Sequence, residues 1–259
     1  MDLSQVLEVA SHTDPGMVRS NNEDSIASVV EKGLVVLADG MGGYNAGEVA
    51  SGMATTVITT ELRQWLDQHE PQELDPQSGQ KAAQRILQEQ VTKANTSIYQ
   101  ASQSQPQYAG MGTTLVIALF YDNKMMVAHI GDSRLYRMRG EDFQQITRDH
   151  SLLQEQIDGG MISREEARLS SNKNLVTRAL GVAPSVVVEV GEYATLAGDI
   201  YLLCSDGLND MVTDRDIEHA LRSHRQLQEA AQQLVQLAND NGGSDNVTVI
   251  LVRLLPQSA

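Results

Sequence analysis

Five aspartates stand where an apolar run of this chain meets a polar turn, and their placement constrains the fold more than any other feature. Asp39 closes the run Leu34 to Ala38, Asp132 follows Met125 to Gly131, and Asp206 follows Ile200 to Ser205. Asp24 and Asp245 do the reverse, each standing just before an apolar run, Ile26 to Val30 and Val247 to Leu255. In antiparallel sheets the ends of one set of strands lie beside the starts of the other, so all five carboxylates can crowd one edge of the core. Two unit charges about 4 Å apart repel by roughly 4 kcal/mol at an effective dielectric near 20. Several such pairs would rival the whole stability of a domain, roughly 5–15 kcal/mol. The cluster therefore needs cations, and oxygen-only ligands select hard divalent ions.

The rest of the pattern reads as α+β. Strands are expected at Leu7–His12, Ser25–Val30 and Leu34–Ala38, followed by a helix over Ala46–His69 whose small residues suit close packing on a sheet. Glu70–Gly79 reads as a loop. Gln80–Ser102 reads as a second helix, with Ala83, Ile86, Leu87, Val91, Ala94 and Ile98 near helical spacing. After the polar loop Gln103–Gly112, the strands Thr113–Tyr121 and Lys124–Met138 flank Asp122-Asn123, a hairpin signature. Phe143–Thr147 is a short third member, and Arg148–Ser185 is an irregular inserted lobe. Strands return at Val186–Tyr193 and Asp199–Ser205, helices at Asp214–Ser223 and Gln226–Asn239, and a last strand at Asn246–Leu255. Sequential strands and paired helices argue against a doubly wound parallel sheet. They predict two antiparallel sheets face to face, with a helix pair outside each.

Composition narrows the function. The chain has 259 residues, 41% hydrophobic and 20% charged, as in ordinary soluble globular proteins. A net charge of −15 argues against nucleic acid as a partner. It argues less against a small phosphorylated substrate, because bound metal reverses the local sign. The lone cysteine, Cys204, lies in an apolar run and reads as a buried reduced thiol without the basic, exposed setting of a thiolate nucleophile. No signal-peptide pattern opens the chain and no stretch approaches the ~18 apolar residues of a spanning helix. The expectation is a cytoplasmic protein without membrane attachment.

The polar junctions carry the chemistry. Arg19-Ser20-Asn21-Asn22-Glu23-Asp24 joins a guanidinium, suited to bidentate phosphate binding, to two acids; taken alone, a surface ion pair is the plainer reading. Asp39 to Glu48 carries glycines that let the backbone approach a ligand closely, but it lacks the ending and spacing of nucleotide-binding loops. Gly131 to Arg134, Ser205 to Asp210 and Gly242 to Asn246 complete the set. Together with Gly110 to Thr114, Asp149-His150-Ser151, Leu175 to Gly181 and Ser244 to Thr248, and in this order, these segments resemble the motifs of the metal-dependent type 2C (PPM) serine/threonine protein phosphatases in their bacterial form.

The resemblance spans nearly the whole chain and implies a four-layer α-β-β-α sandwich with an inserted flap lobe at about 148–185. Residues 1–259 would form a single catalytic domain. The activity implied is hydrolysis of phosphoserine and phosphothreonine in proteins by water activated at a binuclear Mn²⁺ or Mg²⁺ centre, opposing a Ser/Thr kinase. By the same resemblance Asp39 would bridge the two metals and the Gly40 carbonyl would bind one of them. Asp206 and Asp245 would bind the other, and Asp24 and Glu23 would act through metal-bound waters. Asp132, with Asp206, would hold a third, weaker metal, and Arg19 the substrate phosphate. The implied partners are phosphoproteins, a Ser/Thr kinase and its targets, and the expected state is a monomer.

One departure stands out. Many relatives carry a histidine in the glycine loop where this chain has Met41 and Tyr44. A serine or threonine alkoxide is a poor leaving group, so a proton donor helps; water, His12 or His150 are the options, with structural roles the plainer reading of both histidines. His129, inside an apolar strand, reads as a hydrogen-bonded core residue. The alternatives are a phosphoprotein-binding pseudophosphatase, opposed by the complete acid set, and a metal-dependent phosphodiesterase or nuclease, opposed by the acidic charge balance.

Overall fold

The computed structural model describes residues 2–43, 46–74, 79–168, 170 and 175–256. Strands β1 (Leu7–Asp14), β2 (Asp24–Val29) and β3 (Leu34–Met41) come first, followed by helices α1 (Ala46–Leu66) and α2 (Ala82–Ser104). A run of strands follows: β4 (Gly112–Thr113), β5 (Leu115–Tyr121), β6 (Lys124–Ile130), β7 (Arg134–Arg139) and β8 (Asp142–Gln145). The inserted lobe carries the short helices α3 (Leu152–Asp158) and α4 (Arg164–Arg168). The chain closes with β9 (Glu189–Ala194), β10 (Ile200–Cys204), α5 (Asp206–Asn209), α6 (Asp214–Ser223), α7 (Leu227–Asp240) and β11 (Val247–Leu254). One sheet runs β1-β11-β10-β7-β8; the other runs β2-β3-β5-β6-β9, with β4 added to β3. The pairings are antiparallel.

The unbroken apolar runs follow from burial on both faces of a sheet. In β3, Leu34, Val36 and Ala38 face α1 and α2, meeting Ala50, Ala54, Ile58, Leu87 and Val91. Val35 and Leu37 of the same strand face the opposite sheet, where Tyr201, Leu203, Ile250 and Val252 wait. On that sheet's outer face Leu202, Cys204, Val249 and Leu251 pack under Ile217 and Leu221 of α6 and Leu234 and Val235 of α7. Each fully buried aliphatic side chain contributes roughly 1.5–3 kcal/mol, so three stacked apolar cores clamp the two sheets between their helices. The expected α+β arrangement of two antiparallel sheets with helices outside is what forms. The Asp122-Asn123 hairpin is present too, with φ of 42° and 55°, the left-handed pair that a two-residue turn of this kind requires.

One strand assignment is corrected. Lys124–Met138 is not continuous: β6 pairs with β5 and β9, whereas β7 pairs with β8 and β10 in the other sheet. Gly131 to Ser133 carries the chain between sheets. Gly131 has φ +102°, and a Cβ there would stand 2.6 Å from the Thr114 side chain. The polar turn at Gly131 to Ser133 marks the break but not the change of sheet, since hydrophobicity does not say which strand a run pairs with. Several boundaries also move: β3 continues past Asp39 to Met41, α1 ends at Leu66 rather than His69, and β9 starts at Glu189 rather than Val186. Tyr44 and Asn45 of the glycine loop, residues 75–78 of the Glu70–Gly79 loop, and residues 169 and 171–174 of the inserted lobe lie outside the described residues.

The Gly131 crossover yields a test. Gly131→Val should destabilise the protein by about 2–4 kcal/mol through backbone strain and overlap with Thr114. Urea unfolding measures it, and a loss below about 0.5 kcal/mol would show that the crossover tolerates a side chain.

Candidate active site

The site begins at a strand pair. β2 and β3 place Asp24 directly opposite Asp39, an arrangement that like charges disfavour. Asp39 is fixed through its backbone: its N–H donates to Thr114 Oγ1 (3.1 Å), and its carbonyl accepts from Thr113 Oγ1 (2.8 Å) and the Thr114 N–H (2.9 Å). The Gly40 N–H donates to the Glu23 carbonyl at 3.1 Å. Here the glycines have a specific use. A Cβ on Gly40 would lie 2.2 Å from the Gly47 carbonyl oxygen, and one on Gly47 would lie 2.6 Å from the Glu23 carboxylate. Only with glycine at both positions can the start of α1 close on β3 with Glu23 beside it.

The second sheet supplies the other acids. Asp206 follows β10 and opens α5, and Asp245 stands just before β11. The Ser205 hydroxyl donates to Asp24 Oδ2 (2.9 Å) and accepts from the Thr248 N–H (3.0 Å), bridging the two sheets. Asn246 anchors the segment that carries Arg19. Its Nδ2 donates to the carbonyls of Pro15 (3.0 Å) and Asn21 (2.8 Å), and its Oδ1 accepts from the Glu23 N–H (2.8 Å). Arg19 Nη2 then meets Asp245 Oδ2 at 2.8 Å, with the arginine side chain 53% exposed. Asp132, 6% exposed, arrives from the crossover between sheets. Sequence reasoning had Ser205 and Asn246 only as members of polar junctions; their signal was a polar side chain hard against a buried strand.

The electrostatics confirm the convergence. Asp39 is held well above the usual carboxylate range, by burial first and then by Asp24, Asp206, Asp132 and Asp245. Asp206 is raised likewise, by burial and then by Asp132, Asp210, Asp245 and Asp24. Burial pushes Asp24 up to about 6 despite hydrogen bonds with Thr248, Ser205 and Asp39. Burial, then Asp149, pushes Asp132 up to about 7. Glu23 is raised by burial, with Arg19 opposing. Among the described residues, one oxygen of Asp24, Oδ1, is buried with no hydrogen-bond partner. Asp39 and Asp206 thus each lie within electrostatic reach of the other four aspartates, and Asp245 and Arg19 act on Glu23. An all-oxygen donor set of this kind could hold hard divalent cations.

The histidines separate. His129 is 4% exposed and its Nε2 donates to the Arg148 carbonyl (2.9 Å), the core role expected of it. His150, 2% exposed, stacks on His129 with ring centroids 4.9 Å apart. Its Nδ1 accepts from the Gly131 N–H (3.2 Å), so in the neutral ring the proton sits on Nε2, which faces Glu189 Oε2 at 3.3 Å. Burial holds both rings below the usual histidine value and so favours that neutral form. His129, His150 and Glu189 have ligand atoms within 4.8 Å of one another, but a protonated Nε2 with Arg178 3.4 Å away is no metal ligand. Cys204 is fully buried and its thiol is pushed up to about 12, which leaves no thiolate for nucleophilic chemistry.

Comparison with known proteins meets the same geometry. The Protein phosphatase 2C family matches residues 11–251. The serine/threonine phosphatase stp of Listeria monocytogenes serotype 4b is 37% identical over 243 residues, 93% of each chain. The crystal structure of the Mycobacterium tuberculosis serine/threonine phosphatase PstP/Ppp superposes with a TM-score of 0.87 at 39% identity, covering 97% of this chain and all of that one. The catalytic domain of serine/threonine protein phosphatase PstP in complex with two manganese ions gives 0.83 at 38% identity, over 97% and 99% of the two chains. The chain belongs to the protein phosphatase 2C family, as a PPM-type serine/threonine protein phosphatase. No helix among the described residues is long and apolar enough to cross a membrane.

The raised acids set a pH dependence. Stability from a carboxyl whose folded value lies above its unfolded one, about 3.9, is full below that value and is lost as pH rises through the folded value. With metal chelated, the window runs through about 6 for Asp24 and about 7 for Asp132. Between pH 5 and pH 8 the chelated protein should lose roughly 3 kcal/mol relative to the Mn²⁺-loaded protein. Urea unfolding of both forms across that range gives the difference, and parallel profiles would show that the acids do not repel.

Proposed function

We propose that the acid cluster is the binuclear metal centre of the phosphatase, where phosphoserine and phosphothreonine of phosphoproteins are hydrolysed with two Mn²⁺ or Mg²⁺ ions. The observation that carries this reading is the convergence of Asp24, Asp39, Asp132, Asp206 and Asp245 from both sheets beside Arg19. The donor set fits such ions. It is oxygen only, among the described residues it holds an unpartnered buried carboxylate oxygen on Asp24, and its acids are held up by burial and then by mutual repulsion, which a cation would relieve. The related PstP domain binds two manganese ions.

In this reading Asp39 would hold both ions and the Gly40 carbonyl one of them. Asp206 and Asp245 would hold the other, and Asp24 and Glu23 would act through water. Asp132 and Asp206 would hold a third, weaker ion. Bound ions supply Lewis-acid activation of water and neutralise charge on the transferring phosphoryl group. The chain's own residues do the positioning. Arg19, on a segment anchored by Asn246, turns from Asp245 to the phosphate. A half-exposed ion pair is worth roughly 0–1 kcal/mol, so the exchange is inexpensive. His150 is withdrawn from proton donation to the leaving group, because its ring nitrogens face Gly131 and Glu189. Protonation of the leaving group therefore falls to water or to His12.

The whole chain acts as one catalytic domain, and the lobe at 148–185, which borders Asp132 and Asp206 through α3 and α4, serves as its flap. Its substrates are a Ser/Thr kinase and that kinase's targets, met by a monomer. A single buried thiol suits a reducing compartment such as the cytoplasm.

Asp39→Asn should lower kcat for p-nitrophenyl phosphate by at least about a thousandfold with little loss of fold; turnover retained under saturating Mn²⁺ would remove the bridging role. Arg19→Ala should raise KM for a phosphothreonine peptide about tenfold or more while Mn²⁺ affinity by calorimetry holds. Collapse of metal affinity with KM unchanged would reverse the assignment.

A further inference from the structure

A half-open cavity of about 290 Å³ lies between the inserted lobe and the acid cluster. Leu153 and Ile157 of α3 form one apolar wall, and Met211 and Val212, after α5, form another. Among the described residues the charged lining is Asp132, Asp149, Asp206, Asp210 and Asp214 against one base, Arg134. Arg134 is already engaged: Nε and Nη2 donate to the Asp149 carboxylate (3.1 and 2.7 Å), and Nη1 donates to the Tyr136 hydroxyl (2.8 Å). That pairing cancels Asp149 and leaves the cavity acidic. Asp132, at its floor, is 6% exposed, and among the described residues its carboxylate is met only by its own backbone N–H.

The size of the space points beyond an ion. A water's share of liquid volume is about 30 Å³, so an ion bound to Asp132 and Asp206 would fill only the floor of this cavity. What remains is a slot with apolar sides and an acidic lining, the shape that suits an alkyl stem ending in a cationic head. The same Asp206 that lines the slot belongs to the cluster with Asp39 and Asp245. An extended peptide advances about 3.3 Å per residue, so a residue a few positions from a phosphoresidue held at the cluster reaches the slot.

We propose that this cavity receives a lysine or arginine side chain of the phosphoprotein substrate and gives the enzyme a preference for phosphosites with a basic neighbour. The proposal rests on the metal-centre reading above and adds a specificity pocket to it. Asp214 and Ile157 are suitable probes, since neither belongs to the proposed metal or phosphate set.

The test compares kcat/KM of the Mn²⁺-loaded enzyme for phosphothreonine peptides that differ only by Lys or Ala, stepped along both sides of the phosphothreonine. At one or two positions lysine should raise kcat/KM about fivefold, the most that a partly exposed ion pair supplies. Asp214→Asn and Ile157→Lys should each bring that ratio near one while p-nitrophenyl phosphate turnover, which also reports a folded enzyme, stays at the wild-type rate. Equal kcat/KM for Lys and Ala peptides at every position overturns the proposal, as does a lysine preference that survives both substitutions. Free spermidine that inhibits Lys and Ala peptides alike would assign the slot to small polyamines and overturn it too. Failure of the wild-type enzyme to hydrolyse p-nitrophenyl phosphate with Mn²⁺ would instead strike the metal-centre reading, a different result from lost discrimination between peptides.

Discussion

Asp24 faces Asp39 across one strand pair, and the rest of the site depends on that opposition being held against its own repulsion. A one-residue slip of β2 against β3 would turn every side chain of one strand to the other face and separate the two acids. The slip is prevented by apolar packing rather than by the acids. Val36 and Ala38 are locked under α1, and Val35 and Leu37 under the opposite sheet. Register is therefore set by side chains that have no chemistry, in service of side chains that do.

The second sheet completes the arrangement through polar contacts at its edge. Ser205 reaches from the end of β10 to Asp24, and Asn246 reaches from the start of β11 to the segment bearing Glu23 and Arg19. These bonds fix Asp24 and the Glu23–Arg19 segment without adding a positive charge, and burial first, then the neighbouring acids, holds Asp39 and Asp206 well above the ordinary carboxylate range. A preformed, repelling cluster couples cation binding to folding: whatever relieves the repulsion also stabilises the native state. The glycines at 40 and 47 belong to the same design, since a side chain at either would push α1 away from the strand that carries Asp39.

The acids were legible in the sequence because an acid at a strand end leaves two marks at once, an apolar run on one side and a turn on the other. Asp24, Asp39, Asp132, Asp206 and Asp245 all carry them. The turn between β6 and β7 was legible, but the change of sheet was not, because hydrophobicity does not say which strand a run will pair with. Nor were the partners of Ser205, Asn246, Thr113 and Thr114, since a hydroxyl or amide shows no preference for one distant segment over another until the fold brings them together. The inserted lobe was legible only as irregularity. Its helices are too short to show a period, and α3 rests on a local cap from Ser151 to the Gln154 N–H rather than on a broad apolar face.

That lobe and the clustered acids nevertheless share a joint. His150 grips Gly131 twice, through its own N–H to the Gly131 carbonyl (2.9 Å) and through its ring to the Gly131 N–H. The far end of the lobe returns to the same point, where the Thr177 N–H donates to the His150 carbonyl (2.8 Å). Both ends of the lobe therefore meet one residue away from Asp132. Asp39 and Asp24 are set in strands between apolar cores, whereas Asp132 is set in a crossover tied to the lobe. The segment that carries Thr177 also pairs with Thr113 through Leu180, whose N–H donates to the Thr113 carbonyl (2.9 Å) and whose carbonyl accepts from the Thr113 N–H (3.1 Å). Thr113 Oγ1 in turn donates to the Asp39 carbonyl, so this one segment is tied both to the crossover that carries Asp132 and to the strand that carries Asp39.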